Sequence, residues 1–254
     1  MKAIVIAAGR GKRMGALTQD LPKCLAISWE GKSLFERQSA VLRQAGISDL
    51  VVVRGYQGNR FPADGARYYW NHEYEKGNIL DSLMCAGQEL EGEVLVTYSD
   101  IGYSLKVVQT MLRSQADISI AVDLSWKDQY HGRTDNPLSE AEGVLFDERK
   151  QVLKIGKIVN TQPAVQGEFI GMMKLRRAGS EVFKEYFERA KEKFSGKPFQ
   201  RAASFRQAYL TDMLQFLTDS GVAVHCETIS GGWQEIDTPQ DFQKWTRTVS
   251  AQEE

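Results

Sequence analysis

The chain has 254 residues, 42% hydrophobic and 26% charged, with a formal net charge of −1, the balance of an ordinary soluble globular protein. Near-neutral charge provides no overall basic field for nucleic acid and no acidic tail, and no apolar run approaches the roughly 20 residues of a membrane span. Cys24, Cys85 and Cys226 are odd in number and widely spaced, which excludes a disulfide framework or zinc pattern and suits a reducing cytoplasm.

The apolar stretch within Met1 to Ala8 is too short for a signal peptide and is followed at once by Arg10, Lys12 and Arg13. It predicts a first strand over Ile4 to Ala7. A helix follows over Ser33 to Ala45, with Leu34, Val41, Leu42 and Ala45 on one broad face and Gly46 as its stop. Leu50 to Arg54 and Ala66 to Trp70 read as strands, and Asn78 to Leu90 as a helix turning Leu80, Leu83, Met84 and Leu90 inward. Glu93 to Tyr98 is a strand ending at Ser99-Asp100. Leu105 to Arg113 is helical, and Asp117 to Val122 is another strand.

Beyond Leu124 the pattern changes. Ser125 to Glu142 is polar and irregular; Gly143 to Asp147, Val152 to Ile155 and Ala164 to Leu175 read as strands, and Gly179 to Lys193 as a helix. A loop over Gly196 to Phe205 precedes helix Gln207 to Ser220, whose Leu210, Met213, Leu214 and Leu217 form an i, i+3, i+4, i+7 stripe. Val222 to Cys226 is a late strand and Gln240 to Thr248 a closing helix. Alternating elements predict a layered α/β protein, one domain over residues 1–254, with an inserted or appended substrate-binding region over roughly 125–205.

Ala7-Ala8-Gly9-Arg10-Gly11-Lys12-Arg13-Met14 directly follows the first strand. Small residues there let backbone approach a ligand, and successive free N–H groups hold a polyanion. Ala7, Ala8, Gly9, Gly11 and Lys12 are therefore candidate nucleotide contacts, and Arg13 and Lys23 add the side-chain cations that phosphate oxygens need. Two common glycine-rich loops do not fit. The dinucleotide fingerprint requires glycine where Met14 stands, and the P-loop requires Ser or Thr where Arg13 stands. The plain alternative is a solvated basic turn.

Residues 7–14 with Leu21-Pro22-Lys23 resemble the signature of the nucleotidyltransferases, enzymes that join a nucleoside monophosphate to a phosphorylated small molecule and release pyrophosphate. Only Ile6 departs from the pattern, where leucine is usual. The resemblance implies a Rossmann-like fold: a mixed, mostly parallel sheet flanked by helices, the nucleotide-diphospho-sugar transferase fold, with a small acceptor-binding insertion. It also implies that Arg13 stabilises the departing pyrophosphate, and that Lys23 serves the α-phosphate and the incoming acceptor. Lys157 resembles a further lysine brought to the acceptor phosphate, with Lys154 as the fallback.

Asp100 lies just past a strand end, where open α/β sheets bind ligands, and matches the family's metal-binding aspartate; Ser99, standing where glycine is commoner, joins the candidate nucleotide contacts. The plain alternative for Asp100 is a cap for the helix near Leu105. Asp237, in Trp233-Gln234-Glu235-Ile236-Asp237-Thr238-Pro239, resembles the second metal ligand, or caps the closing helix. Two carboxylates with phosphate oxygens and waters suit Mg²⁺. Glu235, two residues earlier on an extended segment, shares a side with Asp237 and either joins the metal or orients the site.

Gly77-Asn78-Ile79-Leu80-Asp81-Ser82 resembles a base-reading segment of cytidylyl type, implicating Asn78 and Ser82; the alternative is a helix start capped by Asn78. Residues 167–171 and 209–214, together with 233–239, resemble the small cytidylyltransferases acting on phosphocholine, 2-aminoethylphosphonate, 2-hydroxyethylphosphonate or phosphonoformate. This implicates Glu168, Gly171 and Asp212 on the acceptor side; Asp212 reads equally as a solvated surface acid. The resemblance is weakest over 125–136, where Lys127 and Arg133 are candidate partners for an anionic headgroup and cations outnumber acids, favouring a phosphonate. The expected partners are CTP and such an acceptor, without nucleic acid or membrane, acting as monomer or homodimer. Rival expectations are a sugar-1-phosphate nucleotidyltransferase and a non-catalytic nucleotide-binding subunit.

Overall fold

A computed structural model describes residues 1–63, 65–157 and 164–253. Its strands are β1 (Lys2–Ala7), β2 (Ser28–Trp29), β3 (Lys32–Ser33), β4 (Asp49–Arg54), β5 (Arg67–Trp70), β6 (Val94–Tyr98), β7 (Ile101–Tyr103), β8 (Ile118–Asp123), β9 (Gly143–Phe146), β10 (Val152–Gly156), β11 (Gly167–Leu175), β12 (His225–Ile229) and β13 (Trp233–Glu235). The helices are α1 (Lys23–Ala26), α2 (Leu34–Gln44), α3 (Ile79–Met84), α4 (Leu105–Arg113), α5 (Arg177–Phe194), α6 (Leu210–Asp219) and α7 (Pro239–Glu253). Among the described residues no helix is long and apolar enough to cross a membrane.

The main sheet runs β12-β8-β11-β6-β1-β4-β5, with the β9–β10 ribbon attached to the start of β11. β6, β1, β4 and β5 are parallel, β8 and β12 are parallel to each other, and β11 alone runs antiparallel between β6 and β8. The expected mixed, mostly parallel sheet flanked by helices is what forms. β1 shows why both faces are covered. Ile4 and Ile6 join the core beneath α3 and α6, whereas Ala3, Val5 and Ala7 join the core beneath α2 and α4. A strand buried on both sides reads as a continuous apolar run, as this one does.

α2 begins as its sequence dictates: the Ser33 hydroxyl accepts from Glu36 N–H, and the Glu36 carboxylate accepts from Ser33 N–H, a complete capping box. Three expectations needed correction. The helix expected over 78–90 is only α3, followed by a separate 3₁₀ turn over Gly87–Glu89, because glycine weakens a helix interior. The late strand starts three residues further on, at His225, where the ladder with Ser119 begins. Residues 125–205 are not one insertion, since β11 lies in the middle of the main sheet. β7 and β13, absent from the sequence reading, form a separate antiparallel pair with Glu235 opposite Ile101.

Candidate active site

β1 and β6 end side by side, and the chain leaves both at the same edge of the sheet. A cleft of about 340 Å³ opens there, lined by Ala7, Ala8, Gly9, Gly11, Lys12, Asn78, Ser82 and Ser99, the residues assigned to the nucleotide, together with Arg13, Lys23, Asp100 and Asp237. Gly11 has φ +66°, and a Cβ at this position would stand 2.9 Å from Lys23 Cβ, so only glycine lets the loop fold over the lysine. Asn78 caps α3, its side chain accepting from Ile79 N–H, and Ser82 Oγ accepts from Asn71 Nδ2 at 3.1 Å. Capping and cleft-lining coexist in Asn78.

The charges at the cleft floor interlock. Lys23 Nζ donates to Asp100 Oδ2 at 2.7 Å and to Asp237 Oδ1 at 2.5 Å, while Arg13 Nη2 pairs with Asp237 Oδ2 at 2.5 Å. Burial opposes the charge on Lys23, but the two carboxylates outweigh it and raise its pKa above the ordinary value. Burial likewise opposes ionisation of Asp237, and Lys23 and Arg13 reverse that, holding its carboxyl below the usual range. Neither aspartate caps a helix. Ser104 precedes α4, and ahead of α7 the Asp241 carboxylate accepts from the N–H groups of Asp237 and Thr238.

β7 and β13 create this meeting. Their pairing sets Glu235 opposite Ile101, and Ile236 N–H donates to Asp100 O at 2.9 Å, which brings Asp100 and Asp237 to one place. β13 is anchored by Trp233, whose indole N–H donates to buried Asp123 at 2.8 Å.

Glu235 lies beside the two aspartates and is held by other partners. Its Oε2 accepts from Arg133 Nη2 at 3.0 Å and from Asn136 Nδ2 at 2.9 Å, and Asn136 Oδ1 in turn accepts from Arg13 Nη1 at 3.1 Å. Burial, with Asp237 and Asp100 nearby, pushes the Glu235 carboxyl up to about 7. Among the described residues, both hydrogen bonds to the Glu235 carboxylate come from Arg133 and Asn136. Arg133, a candidate for an anionic headgroup, has its charge paired with Glu235 and with Asp241 at 2.7 Å, beside the Tyr130 ring.

Of the remaining acceptor candidates, Lys157, Glu168 and Asp212 gather around Glu142. Tyr130 Oη donates to buried Glu168 at 2.5 Å, and Thr211 Oγ1 donates to Glu142 at 2.6 Å; burial raises the pKa of both acids. Asp212 is fully buried, accepting from Tyr209 N–H at 2.8 Å and Arg201 Nε at 3.2 Å, which removes the solvated-acid alternative. Gly171 (φ +83°) lies against the Tyr98 ring, where a Cβ would stand 2.4 Å from a ring carbon. Lys157 pairs with Glu140 at 2.7 Å over the Tyr209 ring, whereas Lys154 is exposed near Asp219. Lys127 is exposed, its ammonium over the Trp126 ring. Asn136, Glu142, Tyr98 and Asp241 were missed by the sequence reading. Only Asp241, three residues after Thr238 at a helix start, carried a local signal.

The donor set fits a magnesium ion. Asp100 and Asp237 present hard oxygen donors that converge on one cationic nitrogen, and Mg²⁺ uses one or two carboxylates alongside substrate phosphates. Among the described residues no cluster of three or more His, Cys, Asp or Glu forms a cage for a metal, so the phosphates would supply the remaining ligands.

Residues 3–223 match the MobA-like NTP transferase domain family. The chain belongs to that family. It is a nucleotidyltransferase, and its resemblance to the small cytidylyltransferases holds along its length. It is 29% identical over 257 residues to the CTP:phosphoglutamine cytidylyltransferase of Campylobacter jejuni, covering 96% of this chain and 98% of that one. It is 33% identical over 100 residues to the choline-phosphate cytidylyltransferase of Streptococcus pneumoniae, covering 38% of this chain and 43% of the other. The fold superposes on the inositol-1-phosphate CTP transferase of T. maritima with a TM-score of 0.76 at 23% identity, over 98% of this chain and 94% of that one.

Proposed function

We propose that this transferase moves CMP from CTP to a small phosphate or phosphonate acceptor bearing an ammonium group. The observation that supports the transfer is Lys23, held between Asp100 and Asp237 under the glycine-rich loop with Arg13 alongside. An acceptor oxyanion is already ionised at neutral pH, so no strong base is needed, and positioning and charge neutralisation supply the catalysis. The acceptor oxygen attacks the α-phosphorus of CTP, the bond to the β-phosphate breaks, and pyrophosphate leaves. Lys23 holds the α-phosphate and acceptor, Arg13 the leaving group, and Lys157 the acceptor phosphate. Asp100 and Asp237 would hold a Mg²⁺ ion, which would supply further neutralisation of the triphosphate.

Charge favours an ammonium. The cationic excess over 126–133 does not survive folding, because Arg133 is paired with two acids. Buried Glu142 and Asp212 add acids beside Tyr98, and buried Glu168 lies near Glu142. Phosphocholine, 2-aminoethylphosphonate and phosphoglutamine are therefore preferred over 2-hydroxyethylphosphonate and phosphonoformate. Free cysteines and the lack of a membrane-length helix among the described residues suit work in the cytoplasm. The test is pyrophosphate release with Mg²⁺ across the four nucleoside triphosphates and these five acceptors, with glucose-1-phosphate included. Release confined to CTP with an amine-bearing acceptor supports the proposal. Release with glucose-1-phosphate, or with the amine-free phosphonates alone, overturns it.

A further inference from the structure

Gln38 lies in the middle of α2, 1% exposed, against the short turn that joins β6 to β7. Its side-chain Nε2 donates to Tyr98 O at 2.9 Å and to Ile101 O at 2.6 Å. Those two carbonyls flank Ser99-Asp100, so one primary amide grips the turn on both sides of the aspartate. Both amide hydrogens are used. Gln38 Oε1 is buried without a hydrogen-bond partner among the described residues. The orientation is dictated by chemistry, because exchanging nitrogen and oxygen would set an acceptor against two acceptors. A buried amide that leaves its oxygen unpaired does so in favour of the two bonds it donates.

The rest of the turn is held at other points. Ser99 N–H donates to Ile6 O at 3.3 Å and Ile236 N–H to Asp100 O at 2.9 Å. These contacts fix the turn to β1 and to the segment carrying Asp237, but neither reaches the carbonyls of Tyr98 and Ile101. α2 is itself pinned by the Ser33–Glu36 capping box.

We infer that Gln38 is a positioning residue for Asp100, setting where its carboxylate stands relative to Asp237 and hence how firmly the pair holds a divalent cation. The inference rests on the proposed role of Asp100 at the nucleotide's metal. It predicts an effect on metal binding that a purely structural glutamine would not have.

The test compares wild type with Gln38→Glu, which keeps the shape but cannot donate two hydrogen bonds, and Gln38→Met, which removes all polar atoms. Mn²⁺ binding in the presence of CTP is read by electron paramagnetic resonance, alongside kcat, KM for CTP and the unfolding midpoint. The expected result for a folded variant is Mn²⁺ affinity and kcat lower by about 10- to 100-fold with KM for CTP little changed. Mn²⁺ affinity within about twofold of wild type (half a kcal/mol or less on the scale of 1.4 kcal/mol per tenfold) overturns the inference, even if stability falls. If wild type shows no transfer from CTP, the functional reading fails while the Mn²⁺ comparison still decides the role of Gln38.

Discussion

Lys23 and Asp237 stand 214 positions apart in the chain and meet at 2.5 Å on the floor of the nucleotide cleft. Burial works against both charges, and each offsets it with the other and with a second partner, Asp100 for Lys23 and Arg13 for Asp237. Asp237→Ala is expected to lower kcat by about 100-fold or more. It is also expected to destabilise the fold by less than the cost of an uncompensated buried charge, about 3–5 kcal/mol, because Asp100 remains bound to Lys23. Steady-state kinetics and denaturant unfolding check the two effects separately.

The signs of the two shifts set the pH window for that pair. The raised pKa of Lys23 means its contribution is complete below the ordinary lysine value and fades only as pH rises through the folded value. The lowered pKa of Asp237 means its contribution is in place above the ordinary aspartate value and is lost as pH falls through the folded value. Between those limits the pair adds no slope to stability.

Glu235 does add one. Its carboxyl titrates near 7 when folded and at the ordinary 4.5 when unfolded, so the native state binds the extra proton in that interval. Stability therefore rises as pH falls from above 7 towards 4.5, and ionised Glu235 is a burden at higher pH. Glu168 and Glu142 act with the same sign. The unfolding midpoint of wild type is expected to rise between pH 8 and pH 6, and Glu235→Gln to show a smaller rise. Equal slopes in the two proteins would refute the assignment.

Gly11→Ala adds a single carbon where φ is +66° and Lys23 Cβ would be 2.9 Å away. The backbone strain alone is worth about 1–2 kcal/mol. Relief of the contact moves Lys23, so KM for CTP is expected to increase together with the loss of stability. Nucleotide titration of the folded variant reads the first effect and thermal unfolding the second.

Tyr130→Phe deletes the hydroxyl that donates to Glu168 at 2.5 Å. Loss of a donor to a buried acid costs about 1–3 kcal/mol. If Glu168 serves the acceptor's ammonium, KM for the acceptor shifts while KM for CTP stays constant. A change in KM for CTP alone would place Glu168 with the nucleotide instead.

What the sequence disclosed, it disclosed where chemistry is local. The loop from Ala7 to Met14, the apolar strands β1 and β4 and the stripe of α6 each carry their meaning within a dozen residues. β7 and β13 have three residues apiece, too few for any alternation to register, yet their pairing brings Asp100 to Asp237. Arg133 looked available because a guanidinium in an irregular segment gives no sign of partners such as Glu235 and Asp241, about a hundred positions away. Asp212 follows the same logic: a helical position off the apolar stripe reads as solvent-facing until Arg201 and the start of α6 close over it.

The antiparallel pairing of β7 with β13 also divides the cleft floor between distant parts of the chain. The glycine-rich loop, Arg13, Lys23 and Asp100 all lie within the first hundred residues, and Asp237 comes from a segment more than a hundred positions later. The cluster of one ammonium and two carboxylates is therefore a property of the whole fold, and it holds together only where β13 lies on β7.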